Sequence, residues 1–245
     1  MGEASDDIDV IFEDGKLIGL VKPAGLPTAN APRGSESVYA WLQRRLGPTA
    51  FVGIVSRLDA PVSGVVVVAK TSAAAAHLAG QFRERTVAKE YLAVVEGRFP
   101  AALGEWVEWR DAIARRGDEP RSLLVRGPVA DDPAAEEDDE SVAGPQAARP
   151  AHVRARVVRR AGEVSLVELQ PTTGRRHQLR AQLAGRGCPI VGDRLYGARL
   201  PHVAGIALHA RRLRILHPDT KRPLVLEAAW PSVWPRRFPQ VCAGG

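Results

Sequence analysis

No apolar run in this 245-residue chain approaches the roughly 18 residues that a membrane-crossing helix requires. The first fifteen residues, MGEASDDIDVIFEDG, lack both the basic start and the apolar stretch of a secretory signal, so a cytoplasmic protein with no membrane partner is expected. Cysteine is scarce. Cys188 and Cys242 stand alone, without metal-ligand spacing, and in a reducing compartment neither a metal site nor a disulfide is expected from them. There is no internal repeat, and no second hydrophobic core stands out, which predicts a single domain over residues 1–245. With 45% hydrophobic residues, the chain is long enough to bury a sizeable core.

What is present is basic. The net charge of +6 conceals an acidic stretch, DDPAAEEDDE at 131–140, and removing its seven acids takes the balance to +13. A body of that charge suits a polyanion, because Lys and Arg that neutralise phosphates release condensed counterions. Genomic base bias also enriches arginine, so composition alone leaves both readings open. The acidic stretch is too polar to bury and is bracketed by Pro128, Pro133, Gly144 and Pro145. It reads as a disordered insertion over about 128–148.

Along the chain the pattern predicts an α+β fold, a mixed, largely antiparallel sheet with flanking helices. DVIFEDGKLIGLVKP reads as a hairpin broken at Asp14-Gly15. A helix follows the cap candidates Ser35 and Ser37, with Val38, Trp41, Leu42 and Leu46 on one face and Gly47-Pro48 at its end. FVGIV and VVVVA read as buried strands with a turn at Asp59 between them. Ser72 is expected to cap a helix through Arg85. KEYLAVVEG is a strand, AHVRARVVRR and EVSLVEL pair about Ala161-Gly162, and HQLRAQLAGRG is a helix. IALHARRLRIL and LVLEAAW close the chain as a hairpin turning at His217-Pro218-Asp219.

Asp59, in SRLDAPVSGVVVVAKT, carries the chemistry. Alone, an Asp beside Pro61 and Ser63-Gly64 is an ordinary turn residue. Its company changes that reading: RLDAPVSG resembles the RLDxxTSG segment of RluA-type pseudouridine synthases, and further blocks follow in that family's order. VKPAGLPT at 21–28 is similar to its NKPxGL opening, KEYLAVVEG at 89–97 to its KxYxAxVxG strand, and TGRRHQLR at 173–180 to its TGRxHQIR block. GCPIVGDRLYG at 187–197 and ALHA at 207–210 come after.

The resemblance implies a pseudouridine synthase catalytic fold. It also implies isomerisation of uridine in tRNA or rRNA, by flipping the base, detaching uracil from C1′ and rejoining it through C5, with no cofactor and no metal. Asp59 falls on the catalytic aspartate, which acts as nucleophile or as base at the sugar. Tyr91 falls on the tyrosine that stacks on the extruded uracil. Arg180, the last arginine of TGRRHQLR, is expected to pair with the Asp59 carboxylate, since a guanidinium grips a carboxylate in two-point geometry. Arg57 matches the arginine that enters the stack vacated by the flipped base, offsetting part of the few kcal/mol that flipping costs. Lys22, Arg175 and His177 lie in matching blocks as RNA contacts or scaffold residues. Gly64, Gly174, Gly192 and Asp193 are expected to shape turns.

Ser56, Val62, Arg176, Val21 and Cys188 depart from the family pattern, and none removes Asp59, Tyr91 or Arg180. The blocks begin by residue 21, so no S4-like RNA-binding domain is expected ahead of them, and the enzyme is expected to act as a monomer on a uridine in an RNA hairpin loop. The alternative is a non-catalytic RNA-binding or ribosome-assembly factor on the same scaffold.

Overall fold

A computed structural model describes residues 8–32, 35–115, 119–126 and 146–242. Its elements are β1 (Asp9–Glu13), β2 (Leu17–Lys22), α1 (Val38–Leu46), β3 (Gly53–Ile54), β4 (Ser63–Ala69), α2 (Ser72–Arg83), β5 (Ala88–Glu96), β6 (Trp106–Arg115) and β7 (Ser122–Arg126). After these come β8 (Gln146–Ala161), β9 (Val164–Pro171), α3 (Gln178–Ala184), a 3-10 turn at Arg194–Tyr196, β10 (Leu208–Leu216), β11 (Pro223–Glu227), α4 (Val233–Arg237) and α5 (Pro239–Cys242). The chain forms two compact units. Unit 1 comprises Met1–Val87 with Ala210–Ala229, and unit 2 comprises Ala88–His209 with Trp230–Gly245.

In unit 1 the strand order is β1-β2-β4-β10, with β3 on β4 and β11 on β10. The pairs β1/β2, β2/β4, β3/β4 and β10/β11 are antiparallel. The expected hairpin at Asp14-Gly15 forms because the Asp14 carboxylate accepts the amides of Lys16 and Leu17, at 2.7 and 2.8 Å. Every residue of β4 is buried, which explains its unbroken run of valines. Val65 and Val67 pack with Ala74, Leu78 and Phe82 of α2. Val66 and Val68 pack with Val38, Trp41 and Leu42 of α1. One strand thus fills two clusters, each buried valine contributing roughly 1.5–3 kcal/mol.

Both helices begin as polar caps dictate. Ser37 accepts the Ala40 amide at 3.0 Å, as expected. The cap of α2 is Thr71, one residue ahead of the expected Ser72: its extended backbone lets its hydroxyl accept the Ala74 amide at 3.2 Å. That helix ends at Arg83, two residues short of Arg85.

Unit 2 holds the antiparallel order β5-β9-β8-β6-β7. Helix α3 packs Ala181 against Ile113 of β6 and Ala151 of β8, with Leu124 and Tyr196 around them. The β8/β9 hairpin forms as expected. Strands β6 and β7 and helices α4 and α5 lie where the sequence pattern gave no element. In β6, a buried Asp111 interrupts the apolar alternation. It is matched by Arg186 at 3.0 Å and by the Gln182 amide at 2.9 Å. Both units together present the expected antiparallel strands and flanking helices. The acidic insertion lies outside the described residues, except that residues 146–148 open β8.

Candidate active site

In unit 1, Asp59 is half-buried at the head of a turn closed by the Val62 amide donating to the Asp59 carbonyl at 3.0 Å. Its neighbours on both sides are pinned. On the N-terminal side, the Thr28 hydroxyl donates to the Leu58 carbonyl at 2.9 Å and accepts the Leu58 amide at 3.1 Å. On the C-terminal side, the Ala60 carbonyl accepts the Gly25 amide at 2.8 Å and the Lys22 ammonium at 3.1 Å. The VKPAGLPT block therefore holds the RLDA block, and each such hydrogen bond contributes about 1 kcal/mol net.

Lys22 is 0% exposed. Its ammonium also donates to the carbonyls of Pro23 at 2.9 Å and Leu26 at 2.7 Å, so all three protons go to backbone oxygens. Its ammonium is thereby committed to the backbone around the Asp59 turn. Burial pushes its pKa down to about 7, against the pull of the Asp59 carboxylate. Arg57, by contrast, is exposed on the segment that leads into Asp59.

Gly64 ends the turn at φ +123. A Cβ there would lie 2.2 Å from the Ala210 carbonyl oxygen and 2.5 Å from the Ala210 nitrogen, so only glycine lets the start of β4 approach the ALHA block.

In unit 2, Tyr91 is half-buried on β5, opposite Leu169 of β9. Two residues earlier, Lys89 donates to the Thr173 carbonyl at 3.1 Å, tying this strand to the TGRRHQLR block. That block is knotted onto β8. The Thr173 hydroxyl accepts the His152 amide at 2.9 Å and donates to the Gln178 side-chain oxygen at 2.8 Å, and the Gln178 amide group returns to the His152 carbonyl at 3.1 Å. Arg175 is buried and donates from Nε to the Pro150 carbonyl at 3.2 Å. His177 has φ +53 at the start of α3, and its Nδ1 lies 3.1 Å from the Tyr196 hydroxyl.

Arg180 is buried on α3 and grips Asp193, Nε to Oδ2 at 2.7 Å and Nη2 to Oδ1 at 2.9 Å. Its guanidinium lies 5.0 Å from the centre of the Tyr196 ring. Burial raises the pKa of that phenol, which also accepts the Ser122 amide at 2.8 Å. Asp193, expected only to shape a turn, is also a counter-ion of Arg180. Thr28 and Tyr196 were not expected at the site, although both lie within blocks that carried the family signal. Among the described residues, no group of three or more His, Cys, Asp or Glu side chains could hold a metal ion.

Residues 16–185 match the family model described as RNA pseudouridylate synthase. An uncharacterised RNA pseudouridine synthase of Bacillus subtilis, YhcT, is 31% identical, over 92% of this chain and 70% of its own. The tRNA pseudouridine synthase C of Vibrio cholerae is 30% identical, over 93% of each chain. The ribosomal large subunit pseudouridine synthase C of Vibrio vulnificus is 31% identical over 89% of this chain, which spans only 64% of that protein. Among solved structures, human RNA pseudouridylate synthase domain containing 4 superposes with a TM-score of 0.72 at 25% identity, covering 95% of this chain and 92% of its own. The chain belongs to the RNA pseudouridine synthase family. It is accordingly an isomerase that acts on uridine in RNA.

Proposed function

We propose that Asp59 is the reacting carboxylate, acting on a uridine flipped out of an RNA stem-loop in tRNA or rRNA. The C1′–N1 bond breaks, a C1′–C5 bond forms, C5 gives up its proton and N1 gains one, so no redox partner is needed. The observation that carries this reading is the immobilised turn. Asp59 keeps partial exposure while Leu58 and Ala60 are fixed by Thr28, Gly25 and Lys22. Such a carboxylate meets a substrate without first having to be ordered. Tyr91 is proposed as the ring on which the uracil stacks, its phenol adding a polar tip to an apolar face. Arg180 is proposed as the fixed positive charge of the reaction, and exposed Arg57 as the side chain that replaces the flipped base. His177 is proposed to orient Tyr196 and α3. The working form is proposed to be a monomer in the cytoplasm.

The experiment is pseudouridine formation by wild type, Asp59→Asn and Asp59→Ala on RNA transcripts, with binding measured in parallel. Both variants are expected to bind RNA and to form no pseudouridine; undiminished isomerisation by either one would refute the assignment. Comparing pseudouridine maps of total RNA from wild-type and deletion cells identifies the substrate position. A map without any change would favour a non-catalytic assembly role.

A further inference from the structure

We infer that Thr28 is the positioning residue for Asp59, so that the rate of isomerisation depends on its hydroxyl. This rests on the reading of Asp59 given above. One side chain satisfies both backbone groups of Leu58, the residue immediately ahead of the carboxylate, across thirty residues of sequence. Thr28 is 2% exposed, so water does not compete for either bond. Its own backbone is anchored in turn. The first amides of α1 have no partner inside the helix. The Val38 amide donates instead to the Pro27 carbonyl and the Tyr39 amide to the Thr28 carbonyl, both at 3.0 Å. A continuous chain of bonds therefore runs from a rigid helix, through a β-branched side chain with few rotamers, to the backbone that aims Asp59.

Valine has the shape of threonine but no hydroxyl, and would leave the Leu58 amide and carbonyl without their partner. Serine keeps the hydroxyl and gives up a methyl group. The two substitutions thus separate hydrogen bonding from packing. Thr28→Val is expected to lower kcat on the order of 100-fold, the scale of a small misplacement of a reacting group. The KM for RNA and RNA affinity should stay within about threefold, because Thr28 is 2% exposed and its hydroxyl is occupied by Leu58. Thr28→Ser should recover most of the lost rate. Thr28→Ala makes the same prediction as Thr28→Val without any risk of overpacking. Thr71→Ala removes the cap of α2 in the same unit and leaves Leu58 untouched, so it should lower the melting temperature without lowering kcat.

The test is single-turnover and steady-state pseudouridine formation for these four variants beside wild type and Asp59→Asn, with thermal melting of each. The inference is overturned if Thr28→Val or Thr28→Ala turns over like wild type, if Thr28→Ser fails as badly as they do, or if Thr71→Ala slows turnover as much at an equal loss of stability. If Asp59→Asn retains full activity, the reading of Asp59 falls and takes this inference with it. If Asp59→Asn is inactive while the Thr28 variants are normal, only this inference falls.

Discussion

Arg180 and Asp193 form a two-point ion pair inside unit 2, with side chains only 5% and 1% exposed. At that burial the Asp193 carboxylate needs a matching cation, because an uncompensated charge in a low-dielectric interior carries a large penalty. The pair joins α3 to the loop that precedes the 3-10 turn, and the Tyr196 ring lies against the guanidinium.

Asp193→Ala should therefore destabilise the protein by about 3–5 kcal/mol, the scale for removing one partner of a buried pair. Urea denaturation read by tryptophan fluorescence checks this. Asp193→Glu, which keeps the charge but displaces it, should lose less.

Lys22 makes stability depend on pH in a defined window. Its folded pKa of about 7 lies below the ordinary value of 10.5, so between these values the unfolded chain binds the proton more strongly than the folded one. Stability contributed at this site should rise as pH increases from about 7 to about 10.5 and be lowest below 7. Comparing unfolding free energies of wild type and Lys22→Met across that range isolates the effect. The difference between the two proteins should change through the window and flatten outside it.

Gly64→Ala should prevent the start of β4 from approaching Ala210, combining a backbone clash with an unfavourable φ. A loss of about 3 kcal/mol or more is expected from overpacking and strain together. Thermal melting would show it, and isomerisation should fall with it because Gly64 lies five residues beyond Asp59.

Cys188 and Cys242 are buried free thiols. Burial raises the pKa of both, that of Cys242 to about 11. Since the thiolate is the reactive form, neither should react with a thiol-specific reagent in the folded protein at neutral pH. Both should react after unfolding in guanidinium, a count that mass spectrometry provides.

Much of this architecture was legible because local chemistry and tertiary role agree. The Asp14 turn, the Ser37 cap and the valine run of β4 each follow from residue type and spacing, and the structure uses them as such. Strand β6 was opaque for the opposite reason. Asp111 looks like a surface residue until Arg186 and Gln182, more than seventy positions away, are placed beside it. Thr28 and Asp193 were hidden in the same way. Asp193 reads locally as a turn residue and Thr28 carries no local signal of its own; the partner of each is one that only folding brings near. The burial of Lys22 and Arg175 was equally hidden, since a Lys or Arg in such a block suits an exposed phosphate contact as well as an interior position.

Strand β10 leaves unit 2 at His209 and enters unit 1 at Ala210, and the chain returns to unit 2 at Trp230. On a ribosome, the residues that surround Asp59 therefore emerge ahead of unit 2 but cannot complete their unit until β10 and β11 have been synthesised. Most of unit 2 leaves the exit tunnel in that interval. The Asp59 half of the molecule thus spends most of its synthesis as a nascent chain lacking its last strands, and translation speed through residues 88–229 sets how long its valine-rich β4 waits for cover.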